Sequence, residues 1–195
     1  MEKGNIKIIG GKYRGKKLYM NEKETTRSTK QILKESVFNS LQFDIPDSTW
    51  VEMFSGVGSI GLEAISRGAK KAYFIEKDPN AAKVLKKNID SLKEEDAKKC
   101  EIILGDAFER VWDVIDDLKR NKDKAFFYFD PPFAIREGYE DIYEKVQNLI
   151  KTMPKMNVEK ILIEHQSDYD FPEMLGKYKK TKTRKFGKSS VSIYE

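Results

Sequence analysis

From Thr49 to Glu164 the apolar residues switch repeatedly between a period of two and a period near 3.6, and this alternation constrains the fold more than any other feature. Thr49 to Phe54 reads as a strand, Ile60 to Arg67 as a helix ended by Gly68, and Lys71 to Glu76 as a second strand. Pro79 to Leu92 is a helix with Ala81, Leu85, Asn88 or Ile89, and Leu92 on one face and Pro79 suited to its first turn. Strands at Glu101 to Leu104 and Ala125 to Phe129 bracket a helix near Ala107 to Lys119, and a helix at Glu137 to Lys151 precedes a strand at Lys160 to Glu164. Such repetition predicts an α/β fold, with a mostly parallel sheet covered by helices on both faces.

The two ends depart from this rhythm. Ile6 to Ile9 and Lys16 to Tyr19 flank Gly10-Gly11-Lys12-Tyr13-Arg14-Gly15, which predicts a small N-terminal β-hairpin. A helix follows from Ser28 to Leu41, with Leu33, Val37, Phe38 and Leu41 at helical spacing and Ser28 or Thr29 as N-cap. At the other end, Lys177 to Lys185 and Ser190 to Tyr194, separated by Phe186-Gly187-Lys188, predict a closing antiparallel hairpin. The expected division is a hairpin extension over residues 1–24 and one main domain over 25–195.

Charge is segregated along the chain. Residues 1–41, 42–176 and 177–195 carry +6, −7 and +6, for a net charge of +5. Basic ends on a mildly acidic middle suit an enzyme that binds a polyanion, and solvated lysines without a partner are the equal alternative on charge alone. Charged residues make up 35% of the sequence, no apolar run approaches the ~20 residues of a membrane span, and the first residues lack a secretory pattern. A cytoplasmic, soluble protein with no membrane partner is expected. Cys100 is the only cysteine, so no internal disulfide can form, in keeping with a reducing compartment.

The first chemical motif is Glu52-Met53-Phe54-Ser55-Gly56-Val57-Gly58-Ser59-Ile60-Gly61, at a strand-to-helix junction. Its glycines let backbone pass close to a ligand while the helix start offers unpaired N–H groups. The next strand ends in Glu76, whose carboxylate can accept both ribose hydroxyls of an adenosine-type ligand. In Leu104-Gly105-Asp106-Ala107-Phe108, Asp106 can accept an adenine amino group while Phe108 covers the ring, or Asp106 can simply cap the following helix. A nucleotide-like cofactor is implied, held by Glu52, Phe54, Ser55, Gly56, Gly58, Gly61, Glu76, Asp106 and Ala107. The glycines alone do not choose between a nicotinamide dinucleotide and S-adenosylmethionine.

The deciding motif is Phe127-Tyr128-Phe129-Asp130-Pro131-Pro132-Phe133, a buried strand that delivers a carboxylate into a stiff turn ending in an aromatic ring. An exocyclic amino group on a nucleic-acid base is a poor nucleophile because its lone pair is delocalised into the ring. Asp130 and the Pro131 carbonyl can accept its two hydrogens and favour rehybridisation. Pro131 and Pro132 fix the backbone, and Phe133 offers a stacking face worth ~1–3 kcal/mol. Attack on a sulfonium methyl is in-line and releases a neutral thioether, so no metal is expected. The order of motifs and the closing hairpin therefore point to a Rossmann-like class I S-adenosylmethionine-dependent methyltransferase, with S-adenosylhomocysteine as product.

The sequence also resembles the RsmD family of bacterial methyltransferases, which modify N2 of a guanine in 16S ribosomal RNA. The resemblance runs through Ile8-Ile9-Gly10-Gly11-Lys12-Tyr13-Arg14-Gly15-Lys16-Lys17-Leu18, then Thr26-Arg27-Ser28-Thr29 with Lys34-Glu35-Ser36-Val37-Phe38-Asn39. It continues through Phe54-Ser55-Gly56-Val57-Gly58, Gly61-Leu62-Glu63-Ala64, Ser66-Arg67-Gly68-Ala69, Asp130-Pro131-Pro132-Phe133 and the stretch from Phe186-Gly187 to Tyr194. The N-terminal string discriminates best, since other methyltransferases share the glycine and Asp-Pro-Pro-Phe loops without it. Glu52 stands where relatives usually have Asp, Ser28 where they have Pro, and Gln31 where they have Asp. The resemblance implies RNA contacts by Lys12, Tyr13, Arg14, Lys16, Lys17 and Arg27. It further implies a monomer acting on 16S RNA within the 30S subunit or an assembly intermediate, with ribosomal proteins helping to form the substrate. Methylation of adenine N6, a nicotinamide-dependent oxidoreductase and a non-catalytic RNA-binding assembly factor are the rival readings.

Other residues have plainer expectations. His165 reads as structural or surface, Trp50 and Trp112 as core or near-core, and Cys100 as buried and inert. Arg136 and Tyr139, just after the Asp130 loop, either line the base pocket or are solvated.

Overall fold

The computed structural model describes residues 3–20 and 28–195. Its strands are β1 (Lys3–Lys7), β2 (Lys17–Tyr19), β3 (Thr49–Glu52), β4 (Lys71–Glu76), β5 (Cys100–Leu104), β6 (Ala125–Phe129), β7 (Val158–Gln166), β8 (Met174–Leu175), β9 (Tyr178–Phe186) and β10 (Ser189–Tyr194). The helices are α1 (Ser28–Ser40), α2 (Ser59–Ser66), α3 (Pro79–Asp90), α4 (Glu94–Ala97), α5 (Ala107–Asn121) and α6 (Ile142–Thr152). An eight-stranded sheet has the order β5-β4-β3-β6-β7-β10-β9-β8, while β1 and β2 form a separate pair. The first five strands of that order run parallel and the last three are antiparallel additions. This is the expected α/β architecture with its C-terminal hairpin and N-terminal β-hairpin.

Alternation within each strand sends side chains into two cores. On one face Val51, Tyr73, Ile75, Phe127, Phe129, Ile161 and Ile163 pack against α5 and α6. On the other, Trp50, Phe74, Phe126, Tyr128 and Leu162 pack against α1, α2 and α3. Trp50 is sandwiched between Phe38 and Phe126, each with ring centroids 5.0 Å away. Both β3 and β6 are buried along their whole length, as central strands covered on both faces must be.

Several boundaries differ from the sequence reading for local reasons. β3 ends at Glu52 rather than Phe54, because the chain turns there to bring the Glu52 carboxylate onto the start of α2. The last large helix begins at Ile142 rather than Glu137, because Gly138 adopts φ +81° and successive turns occupy Phe133 to Ile142. β7 extends to Gln166 because β10 pairs with it along its length. Trp112 is not a core residue: it is 37% exposed and lines the large cleft described below. No helix among the described residues is long and apolar enough to cross a membrane.

The N-terminal hairpin is docked on the main body by buried polar groups. Ile8 and Leu18, both fully buried, join the core beneath α1. Glu63 on α2 has no exposed surface, and its two oxygens accept the N–H groups of Ile9 and Gly10 at 2.8 Å each. It also accepts from Arg67 Nε at 2.7 Å and lies 3.5 Å from Lys34 Nζ on α1. Ser66 accepts from Tyr13 N at 2.9 Å and donates to Gly10 O at 2.6 Å. Gly11 must be glycine, because its φ is +73° and a Cβ would come 1.9 Å from the Ser66 carbonyl oxygen.

Glu52 is the second buried carboxylate, 4% exposed. It accepts from Gly61 N at 2.9 Å and Ile60 N at 3.2 Å, so it occupies donors that the first turn of α2 would otherwise leave unpaired. Burial, only partly countered by these bonds, pushes its carboxyl up to about 8.

These two glutamates generate two expectations. Glu63→Gln leaves Lys34 and Arg67 without their shared anion, and should cost about 3–5 kcal/mol in urea unfolding; a loss under 1 kcal/mol contradicts the anchoring role. Unfolded Glu52 ionises near its usual 4.5, whereas folded Glu52 keeps its proton until about 8. Between these values the unfolded chain binds fewer protons, so the Glu52 contribution is full below the lower value and is lost as pH rises through the upper one. Unfolding measured across this window should show a decline that Glu52→Gln flattens.

Candidate active site

At the point in the sheet where β3 is flanked by β4 on one side and β6 on the other, the chain's crossovers diverge. Open α/β sheets bind ligands in the crevice beyond the carboxyl ends of their strands at such a point. Here that crevice is a cleft of about 2040 Å³. It is lined by the turns that follow β3, β4, β5 and β6, and brings Gly56, Glu76, Asp106 and Asp130 around one space.

After β3, Gly56 and Gly58 take φ of +51° and +83°. A Cβ on Gly58 would lie 2.3 Å from Leu85 Cδ1, and one on Gly61 would lie 2.4 Å from the Phe74 ring. Gly58 and Gly61 therefore serve close packing of α2 and α3 on β4. Ser55 is buried, with its hydroxyl donating to Ile75 O at 2.9 Å, so it fixes the loop. Phe54 is half-buried, edge-on to Phe108 at 5.8 Å.

Glu76 accepts from Gly56 N at 2.6 Å through one oxygen and from Asp78 N at 2.8 Å through the other. An ionised carboxylate has roughly four acceptor positions, so two remain for a pair of hydroxyls. Asp106 caps α5, accepting from Phe108 N at 2.9 Å through Oδ1, and Ala107 is buried behind it. The capping alternative and the cleft-lining position are thus both realised. Glycine backbone, a diol-matching carboxylate and the Phe54–Phe108 pair suit the nucleoside half of a cofactor.

Asp130 leaves the end of β6 with Pro131 buried and Pro132 and Phe133 half-buried along the cleft. Its Oδ2 accepts from Lys30 Nζ of α1 at 2.7 Å. The same Nζ lies 3.7 Å from Oε1 of Glu164 on β7, whose Oε2 accepts from the Tyr128 hydroxyl at 3.3 Å. Lys30 and Glu164 were invisible as site residues in the sequence, because Lys30 reads as a surface helix lysine and Glu164 as the end of a strand. The signal that finds Glu164 is a charged residue inside an otherwise apolar strand.

Ile6, Met20, Lys30 and Lys188 also line the cleft, so the N-terminal hairpin, α1 and the β9–β10 turn all reach its rim. Tyr139 and Arg136 belong to the lining as well, and Lys77 Nζ sits 5.5 Å from the Tyr139 ring centroid. His165 is structural: it is buried, bonded to Gln166 O at 2.8 Å and Ser192 Oγ at 2.9 Å, and burial lowers its pKa. Cys100 is half-buried, with burial pushing its thiol up to about 12, where it is unreactive.

The basic string divides into two sets. Lys12 Nζ is 2.6 Å from both Glu95 and Asp96, Tyr13 donates its hydroxyl to Asp96 at 2.6 Å, and Lys16 donates to Ser91 O at 2.6 Å. These three side chains hold the hairpin against the segment from α3 to α4. Arg14 and Lys17 are exposed, and Arg27 lies outside the described residues.

Comparison with known proteins agrees with this architecture. A family model described as Conserved hypothetical protein 95 matches residues 6–195. Ribosomal RNA small subunit methyltransferase D of Haemophilus influenzae is 38% identical over 134 residues, which cover 67% of this chain and 65% of that protein. Among solved structures, yhhF from Escherichia coli has a TM-score of 0.74 at 27% identity, covering 97% of this chain and 96% of that one. An RNA methyltransferase from Salinibacter ruber, solved with S-adenosyl-L-homocysteine, shares the fold at TM-score 0.54 and 18% identity, covering 87% and 92% of the two chains. With its match extending over almost the full sequence, the chain belongs to the Conserved hypothetical protein 95 family, the RsmD family.

Proposed function

We propose that the protein is an S-adenosylmethionine-dependent ribosomal RNA methyltransferase whose target is the exocyclic N2 amino group of a guanine in 16S RNA. The observation that carries this reading is the meeting of the Asp130-Pro131-Pro132-Phe133 turn with the glycine loop and Glu76 in one cleft. A nicotinamide oxidoreductase would use the glycines and Glu76 and leave the Asp130 turn without a task. The relative from Haemophilus influenzae, named for methylation of small-subunit RNA, supports the substrate class. The fold neighbour solved with S-adenosyl-L-homocysteine supports the cofactor.

Under this reading Glu76 would accept from the ribose hydroxyls, Gly56 would give the loop its close approach, Phe108 beside Phe54 would cover the adenine, and Asp106 would accept from its amino group. Glu52 and Ser55 act one step back, by fixing the loop. When bound, the cofactor would supply an electrophilic methyl group on a sulfonium, with a neutral thioether as the leaving group. Asp130 and the Pro131 carbonyl accept the two amino hydrogens and align the nitrogen lone pair, while Phe133 stacks on the base. The proton shed by the methylated nitrogen passes to the Asp130 carboxylate and then to water.

The extension over residues 1–24 presents Arg14 and Lys17 to phosphates, joined by Arg27 and by Lys188 at the cleft rim. Lys12, Tyr13 and Lys16 contribute by holding that surface in place, and reach phosphate only by leaving their present partners. The substrate is 16S RNA in a 30S particle or an assembly intermediate, approached by a monomeric enzyme.

Two experiments test this reading. Asp130→Ala should bind S-adenosylhomocysteine in calorimetry as the unaltered protein does, and should lose at least about 100-fold in methyl transfer to 30S particles; near-normal turnover sinks the mechanism. Arg14→Ala with Lys17→Ala should weaken binding to 16S RNA and reduce the slope of log affinity against log salt by about 2. An unchanged slope removes the hairpin from the RNA surface.

A further inference from the structure

Glu164 sits beside the Asp130 turn with no role in the scheme above. It lies on β7, adjacent to β6, and is 2% exposed. One oxygen is held by Tyr128, which is itself fully buried two residues before Asp130. The other, Oε1, has no hydrogen-bond partner among the described residues, although it is buried. A buried acceptor in that state is unfavourable, because it has given up water without gaining a donor. The nearest cation to it is Lys30 Nζ, 3.7 Å away and hydrogen-bonded at 2.7 Å to Asp130 Oδ2. One ammonium thus stands between two carboxylates, hydrogen-bonded to the first and paired with the second at a distance 1.0 Å longer.

This geometry conflicts with the task of Asp130. A carboxylate oxygen that already accepts from an ammonium is a weaker acceptor for the hydrogens of a base amino group, and the Lys30 side chain occupies space along the same cleft. The conflict is resolved by a short movement, since a half-exposed lysine changes rotamer at little cost. Its destination is already built, because Glu164 Oε1 gains a partner as Asp130 Oδ2 loses one. Burial, and then the Asp130 charge, raise the Glu164 carboxyl above its usual range, and an arriving ammonium favours its ionised form.

We propose that Glu164 is a positioning residue for methyl transfer, drawing Lys30 off Asp130 as the target base enters and so freeing Asp130 to accept the amino hydrogens. The inference rests on the proposed role of Asp130. It gives Lys30 two stations: Asp130 in the absence of substrate, which spares the protein two adjacent uncompensated carboxylates, and Glu164 in the reacting complex.

A double-mutant cycle on the full-length protein tests it, with 30S particles and S-adenosylmethionine as substrates. Glu164→Gln keeps the shape and the Tyr128 contact but cannot hold an ammonium. It should lower kcat by about 10-fold while leaving S-adenosylhomocysteine affinity and KM for the particles within about 2-fold. In a Lys30→Met background the same change should cost less than about 2-fold, because there is no ammonium left to move. Glu164→Asp, which retains the charge, should keep more activity than Glu164→Gln in the Lys30 background alone. Equal losses in both backgrounds reduce Glu164 to a fold residue and overturn the inference, as does full activity of Glu164→Gln. Absence of methyl transfer by the unaltered protein overturns the reading of the site, and the inference with it.

Discussion

A carboxylate sealed from solvent, Glu63, ties together parts of the chain that are far apart in sequence. Its two oxygens receive the backbone of the hairpin at Ile9 and Gly10, the Arg67 side chain of its own helix, and the approach of Lys34 from α1. A bare buried carboxylate would be costly, and so would Lys34, whose burial lowers its pKa against the opposing pull of Glu63. Each cost is met only when all the partners are in place. The hairpin and α1 are therefore conditional on α2, and α2 begins at the glycine loop. The structure makes the rim of the cleft and the glycine loop one assembly.

Asn88 on α3 extends this coupling. It is fully buried, accepts from Tyr19 N at 2.7 Å, and donates to the carbonyls of Tyr19 at 3.1 Å and Val57 at 3.0 Å. One amide thereby spans β2 of the hairpin and the glycine loop at Val57, and all of its contacts are with backbone. Backbone contacts fix position irrespective of the side chains around them. Their presence here explains how an extension of two short strands, which would be marginal alone, holds a defined place beside the cleft.

The sequence revealed the layers more readily than the site. Strands such as β6, with five buried residues, carry their own signature, and so do α3, with Ala81, Val84, Leu85 and Ile89 buried, and the glycine loop. The four-residue α4 was not legible, since a single turn has no period to detect. Lys12 and Tyr13 were legible as polyanion contacts because a basic string looks the same whether its partner is phosphate or Asp96. Trp112 looked like core because size and apolarity predict burial, whereas its place at the cleft follows only from the tertiary fold. Glu76 stood out in the sequence because it is a carboxylate at the end of a strand that follows a glycine loop, and the fold places it on the cleft. Glu164 needed the pairing of β7 with β6, which brings it beside Asp130 only in the folded chain.

That last placement shows why a lysine belongs at the mouth of this cleft. Glu52, Asp130 and Glu164 all face the same end of the sheet, and the Asp130 charge raises the carboxyls of both glutamates after burial has done so. Without a cation the cheapest response would be to protonate whichever carboxyl is most easily neutralised. Burial raises the carboxyls of Glu52 and Glu164, which are 4% and 2% exposed, so a proton is held most readily on those two. Lys30, bonded to Asp130 and 3.7 Å from Glu164, places a positive charge between two of the three acids and opposes the upward shift of Glu164. The shallow lysine therefore offsets the repulsion that arises where three acids crowd one end of the sheet, while burial drives the two deep glutamates toward their neutral forms.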